Sequence, residues 1–367
     1  SSSARITGLL VSYRPLASSR FLAVNRAKAS CAYSYSFMKP AEAKRLAELA
    51  GCRGDTWKAK SIQQLWAGMG HIYELQCGDE RIVAKVVKLP KRCDSVGDRR
   101  KAKSYECEAA FYSDGYAAQL LDAGVVVPRP LHVEARADGV TIVMSRLDGR
   151  PGAFDRRGTE TALAALARLH ACFYGSRADE AVAGGLQAQG TMSYLDTRKD
   201  EFDSMPTRGW EGRLRLAARA IDERLKADRM QSIVHGDPKD ANFYFAADGT
   251  PQLYDFQYCG KACPAKDVAY CLCCGSSAWD EADELARGYH RDLSAALASR
   301  GEEAPTVDAF LESLELAYAD LGRWMSGWGW WGNDLEPRIR RLLDRLDGGT
   351  ALASSEYGAA VAREFPV

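Results

Sequence analysis

The spacing of apolar and polar positions divides the chain into two stretches of different character. Residues 61–87, Ser61-Ile-Gln-Gln-Leu-Trp-Ala-Gly-Met-Gly-His-Ile-Tyr-Glu-Leu-Gln-Cys-Gly-Asp-Glu-Arg-Ile-Val-Ala-Lys-Val-Val87, read as three strands joined by turns at Gly68–His71 and Gly78–Glu80. Just upstream, Leu46, Leu49 and Ala50 recur at helical spacing behind Pro40, which suits a first helical turn, and Gly51 stops the helix. A helical stretch over 99–121 follows, then strands over 125–133 and 140–144 separated by the polar turn Ala137-Asp138-Gly139. Five antiparallel strands around one main helix make a small first lobe.

Past Leu147-Asp148-Gly149 the repeat lengthens to that of helices, over 159–173, 210–230, 280–300, 306–324 and 335–346. One β-like passage, 232–237 through 252–257, lies between them. No internal repeat interrupts the order. The pattern therefore predicts an α+β, bilobal chain, with a first lobe over 41–148 and a larger, mostly helical lobe over 149–367. Residues 1–40 stand apart. The first acidic residue is Glu42, and before it the chain carries Arg5, Arg14, Arg20, Arg26, Lys28, Lys39 and nine Ser. That composition fits an organellar transit peptide and equally a disordered tail, and both readings stay open.

Charge narrows the partners. With 49 basic and 49 acidic residues in 367, the chain has no bulk field to attract nucleic acid or an anionic membrane, so neither is expected as a partner. No apolar run approaches the roughly 20 residues a membrane helix needs. An odd count of 11 Cys, no secretory-type leader, and no Asn-x-Ser/Thr at Asn25, Asn242 or Asn333 favour a reducing intracellular compartment, cytoplasmic or organellar. A monomer and a homodimer fit equally.

The sharpest chemical signal is His235-Gly-Asp-Pro-Lys-Asp-Ala-Asn242 followed by Tyr254-Asp-Phe-Gln257, which places Asn242 five residues and Asp255 eighteen residues after Asp237. Phosphoryl transfer needs a carboxylate that orients and deprotonates a hydroxyl, and hard oxygen ligands for Mg²⁺ on the nucleotide phosphates. Asp237 supplies the first, and Asn242 and Asp255 the second. Each residue alone has an ordinary reading as a turn, cap or surface charge; the ordered set does not.

On these motifs the sequence resembles the protein-kinase-like fold, in its aminoglycoside phosphotransferase and choline kinase branch, over roughly residues 55–350. His-Gly-Asp at 235–237 is that branch's spelling, where protein kinases carry His-Arg-Asp. Asp255-Phe-Gln257 and Asp267-Val-Ala-Tyr270 are most similar to the ecdysteroid-kinase-like subgroup. The resemblance implies an ATP- and Mg²⁺-dependent kinase acting on a hydroxylated small molecule. It assigns Lys85, in Val83-Ala-Lys85, to the α- and β-phosphates and a helical Glu to pairing that Lys. Glu108, within Glu108-x-x-Phe111-Tyr112, fits this better than Glu106. Gly68-Met-Gly70 would let backbone amides approach the phosphates, and Met144-Ser-Arg-Leu147 would pass the adenine ring. Lys239 would steady the transferred phosphate, and Asp267 would hold the catalytic loop. His235 and His170 read as structural.

Other features weigh less. Cys259, Cys263, Cys271, Cys273 and Cys274 cluster, but only Cys271 and Cys274 have Cys-x-x-Cys spacing, so buried free thiols are expected rather than zinc. Trp324, Trp328, Trp330 and Trp331 would make either a cage for a quaternary ammonium or, more commonly, core packing. Residues 173–210, poorly patterned, are expected to shape the substrate site. A protein kinase is disfavoured by the eleven residues between Asp255 and Asp267, by Gln257 in place of Gly, and by Gly236 where the phosphate-reading Arg belongs. A catalytically inactive nucleotide-binding scaffold is the alternative from another class. No feature chooses among aminoglycoside, choline and steroid acceptors, although the absence of the choline-kinase spelling of the catalytic loop lowers the choline option.

Overall fold

The computed structural model describes residues 38–53, 57–65, 68–90, 92, 94–152 and 154–367. The basic N-terminal segment, with its transit-peptide or tail reading, lies almost wholly outside them. Strands β1 (Trp57–Gln64), β2 (Gly70–Cys77), β3 (Glu80–Lys88), β4 (Pro130–Arg136) and β5 (Gly139–Ser145) form one antiparallel sheet in the order β1-β2-β3-β5-β4. Side chains alternate across a strand, so its two faces meet different partners. Tyr73, Leu75, Ile82, Ala84 and Val143 bury against Ala43, Leu46 and Ala47 of helix α1 (Pro40–Leu49). The interleaved positions Lys85 and Val87, with Val140, Ile142 and Met144 of the neighbouring strand, belong to the opposite face, which carries α2 (Val96–Ser113) and the cleft. Lys85 is thus placed in the cleft by register alone, opposite Ile72 and Ile142.

Two expectations change. The helix over 99–121 is two helices, α2 and α3 (Tyr116–Asp122), because Gly115 takes a left-handed φ of 87° that a continuing helix cannot hold. The strand expected from 125 begins at Pro130: Pro128 and Pro130 lack the N–H that a ladder needs. Val126 instead makes one parallel bridge to Gln252 of the second lobe.

The second lobe is built on α4 (Arg156–Cys172), α5 (Ser176–Ala183), α6 (Lys199–Asp203), α7 (Gly209–Lys226), α8 (Ala265–Cys274), α9 (Ala282–Ala298), α10 (Val307–Trp328), α11 (Glu336–Asp347) and α12 (Ser354–Glu364). Helix α7 ends before the expected Met230, where the Asp228 side chain accepts from the Met230 amide at 2.8 Å and turns the chain. Between the helices, β7 (Ser232–Val234) pairs with β10 (Gly260–Ala262), while β8 (Phe243–Phe245) pairs with β9 (Pro251–Leu253) and β6 (Arg150–Pro151). These short ladders hold two loops in place: β7 runs into His235-Gly236-Asp237, and β9 into Tyr254-Asp255. Among the described residues no helix is long and apolar enough to cross a membrane.

Candidate active site

Where the lobes meet, Lys85 Nζ lies 2.6 Å from Glu108 Oε2 and 3.0 Å from Asp255 Oδ1. Glu108, not Glu106, is the partner; Glu106 faces solvent beside Lys103. Burial alone would strip the Lys85 ammonium, but Asp255 and Glu108 more than offset it and hold its titration above the usual range. The same burial lifts the Glu108 carboxyl, Lys85 offsetting part of the rise. Burial also works against Asp255, yet Lys85 wins and brings this carboxyl down to about 2. Asp255 is held in a left-handed backbone at φ 69°, and strain of this kind persists only where the surroundings fix it. Here the next residue does so: the Phe256 ring stacks on Phe111 of α2 at 3.9 Å and tilts against His235 at 4.7 Å.

The second loop is fixed from below. Fully buried Asp267, in the first turn of α8, accepts from the His235 amide at 2.7 Å through Oδ2 and from the Gly236 amide at 3.0 Å through Oδ1. Its Oδ2 also meets His170 Nε2 at 3.1 Å, whose Nδ1 meets the Tyr289 hydroxyl at 2.7 Å. His235 Nδ1 accepts from the Asp237 amide at 3.3 Å while Nε2 donates to the Tyr254 carbonyl at 3.0 Å, so one neutral tautomer ties the loop to the segment carrying Asp255. Burial lowers the His235 pKa, which favours that neutral form. Gly236 has φ 85°, and a Cβ on it would stand 2.2 Å from the Tyr258 carbonyl oxygen. No side chain fits there.

Asp237 emerges from this loop almost enclosed. Its Oδ2 accepts from Lys239 Nζ at 2.7 Å and from Asn242 Nδ2 at 3.0 Å. Asn242 Nδ2 also donates to the Asp237 carbonyl at 2.8 Å, which turns its own Oδ1 away from Asp237. Asp237 Oδ1 is buried, and among the described residues no donor meets it in good hydrogen-bond geometry. The Tyr270 hydroxyl lies beside it: burial, with the charge of Asp237 and a contact to that carboxylate adding, pushes its pKa well up, and it reaches Met192 Sδ at 3.4 Å. An unpaired buried carboxylate oxygen is costly unless something else supplies its hydrogen bond.

The structure therefore brings Lys85, Glu108, Asp237, Lys239, Asn242 and Asp255 to one cleft. Gly70 abuts β3, where a Cβ would stand 2.0 Å from the Val86 carbonyl oxygen, whereas Gly68 at φ 68° has open space around it. Met144 is buried on the cleft face at the end of β5, and Leu147 follows in the passage to β6. The Gln257 side chain bridges the site: Nε2 donates to Asp255 Oδ1 at 2.5 Å, and Oε1 accepts from Lys101 Nζ at 2.7 Å and from the Ser104 hydroxyl at 3.2 Å. The sequence reading missed Lys101 and Ser104, although 101, 104, 105 and 108 share one face of a 3.6-residue helix. It also missed Arg198, which no periodicity announces because it sits in a loop.

All nine described cysteines are free thiols, eight of them buried, and among the described residues no three or more His, Cys, Asp or Glu side chains converge as a metal centre would need. Trp324 is core, with Trp331 edge-on at 4.8 Å; Trp330 packs on Trp210, and Trp328 is largely exposed.

Comparison with known proteins bears on this arrangement. The family model described as "Phosphotransferase enzyme family" matches residues 62–307, about two-thirds of the chain. The chain belongs to that family. The match does not single out the ecdysteroid-kinase-like subgroup. No curated protein is similar enough in sequence to count as a relative. Among solved structures, a spectinomycin phosphotransferase in complex with ADP and spectinomycin aligns at 11% identity over 86% of this chain and 98% of its own, with a TM-score of 0.50. A microcompartment-associated aminopropanol kinase aligns at 16% identity over 88% and 97%, TM-score 0.48. A choline/ethanolamine kinase family protein from Mesorhizobium loti aligns at 18% over 87% and 98%, TM-score 0.44. At these identities the likeness is one of fold. This member of the phosphotransferase family has the bilobal kinase-like architecture expected from its sequence.

Proposed function

We propose that this phosphotransferase is an ATP- and Mg²⁺-dependent kinase that moves the γ-phosphoryl group to a hydroxyl of a small organic acceptor. The observation that carries the reading is the unpaired, buried Oδ1 of Asp237, set in the same cleft as the Lys85–Glu108–Asp255 cluster. Asp237 Oδ1 accepts the acceptor's hydroxyl proton; the acceptor oxygen bonds to the γ-phosphorus, the bond from that phosphorus to the bridging oxygen breaks, and its electron pair leaves on ADP. Lys239 and Asn242 hold the other carboxylate oxygen, so the base is aimed before the acceptor arrives. Lys85, kept charged by its two carboxylates, binds the α- and β-phosphates.

The Asn242 amide oxygen and the ionised Asp255 carboxylate are hard oxygen donors and fit Mg²⁺. When bound, the ion would neutralise phosphate charge and shape the triphosphate. A titration of Asp255 at about 2 keeps this donor charged at any physiological pH.

The test is ADP release from Mg·ATP against a panel of hydroxylated small molecules, wild type beside Asp237→Asn. Turnover with a defined acceptor, reduced about 10²–10⁴-fold in the variant while nucleotide affinity is kept, is the expected result. Nucleotide binding with no acceptor turned over, and a variant indistinguishable from wild type, would favour the inactive scaffold.

A further inference from the structure

Beside the loop that carries Asp237 two arginines meet: Arg198, paired with Glu201, and Arg100, with no described carboxylate at ion-pair distance. Arg198 precedes α6 in the second lobe and Arg100 lies on α2 of the first. Arg198 is 4% exposed; its Nε donates to the Met192 carbonyl at 2.7 Å and its Nη1 to Glu201 at 2.8 Å. Arg100 Nη1 donates to the carbonyl of Thr197, the residue next to Arg198, at 2.9 Å. The Arg100 Nε is buried with no hydrogen-bond partner among the described residues, and no described carboxylate lies at ion-pair distance from its guanidinium. Neighbouring Lys101 also lacks a carboxylate and leans on the neutral Gln257 amide.

The two arginines are tied to the reacting end of the cleft. The Met192 amide donates to the Gly236 carbonyl at 3.0 Å, and the Thr191 amide to the Tyr258 carbonyl at 3.1 Å. Tyr258 lies within electrostatic reach of both sets of charges: burial raises its pKa, Arg198 and Arg100 lower it, and Asp237 and Asp255 raise it. The aromatic cluster gives a matching sign. The Arg198 guanidinium lies over the Trp324 ring at 5.1 Å, and Trp328 and Trp331 pack around the same ring. That face of Trp324 is taken by the protein's own cation.

We propose that the acceptor carries an anionic group, a carboxylate or a phosphate ester, beside its reacting hydroxyl, and that Arg100 and Arg198 bind it. The inference rests on the kinase reading above and adds the substrate class. A guanidinium's planar fork matches both anions, and the buried Nε of Arg100 has no partner among the described residues. A cationic amino alcohol would enter against the Arg100 guanidinium, which no described carboxylate pairs.

Two acceptor series sharing a carbon skeleton test it: 3-aminopropane-1,2-diol, glycerol, glycerate and glycerol 3-phosphate; and glucosamine, glucose, glucuronate and glucose 6-phosphate. Each is titrated calorimetrically into the full chain loaded with Mg·ADP, and assayed for ADP release with Mg·ATP. In at least one series an anionic member is expected to bind and react at least about tenfold better than its neutral partner, the advantage shrinking as salt rises. The preferred anion distinguishes carboxylate from phosphate. Arg100→Gln should raise the KM for that acceptor by about 10–100-fold, with the KM for ATP and the melting temperature unchanged, and Arg100→Lys should recover part of the loss. Neutral or cationic members matching the anions would overturn the proposal. So would a change confined to the KM for ATP, since Arg100 would then serve the nucleotide. Mg·ATP binding, measured separately and expected to fail in Asp255→Asn, reports on the kinase reading itself. If Mg·ATP binds and anions gain nothing, only the acceptor class falls; if it does not bind, the kinase reading falls first.

Discussion

Lys85 and Glu108 are buried together, with the partly exposed Asp255 at their open side, and that makes removal of either buried partner costly. Lys85→Met would leave Glu108 buried without its cation, and a broken buried pair typically costs about 3–5 kcal/mol. Denaturant titration should show that loss, and Lys85→Met/Glu108→Leu should recover part of it. A double variant no more stable than the single would mean that uncompensated charge is not the cause. Lys101 offers a different readout. Burial, with Lys85 adding to it, lowers its pKa to about 8. Negative charge entering the cleft favours the protonated form and raises that pKa, so Mg·nucleotide binding near pH 8.5 should take up protons. Calorimetry in buffers of different ionisation enthalpy measures the uptake, and Lys101→Met should abolish it.

Helix α2 and the two short ladders of the second lobe illustrate which elements the sequence discloses and which it hides. Alternation in β3 put Lys85 on the cleft face, and the His-Gly-Asp and Asp-Phe-Gln spellings located both site loops. Gly115 and Pro130 altered the boundaries for local backbone reasons that were present in the sequence but outweighed by the apolar runs around them. The parts not legible were tertiary. Nothing in the spacing of 173–210 indicates that Met192 docks on Gly236 or that Arg198 reaches Trp324, because an aperiodic loop encodes its position only through what it lands on. The loop brace has its own pH signature. His235 is buried and its pKa lies below the ordinary value of about 6.5 that it regains on unfolding. Between those two values the unfolded chain binds a proton that the native chain refuses, so this residue's contribution to stability is present above pH 6.5 and is lost on acidification below it. Thermal unfolding followed from pH 7.5 to 5.5 should fall less steeply in His235→Gln than in wild type.

On the scale of the molecule, a formal charge of zero conceals a sharply uneven cleft, and the Lys85–Asp255 contact is one of the ties that span it from lobe to lobe. A ligand that engages both sides should stabilise the whole chain. Saturation with Mg·ADP at about 100 times its dissociation constant is worth about 2.7 kcal/mol and should raise the melting temperature, an effect removed by chelating the metal and absent in Asp255→Asn. No shift in wild type would argue against a nucleotide cleft. The loop beneath the cleft has a consequence for control. Gly236 occupies the place where an arginine would answer to a phosphorylated segment, and the Tyr258 carbonyl leaves that place no room for any side chain. The hinge of His235, Asp267 and His170 is complete without such a signal. A loop braced this way offers no seat at this position for a charge-reading arginine, so control of that particular kind has nowhere to act here.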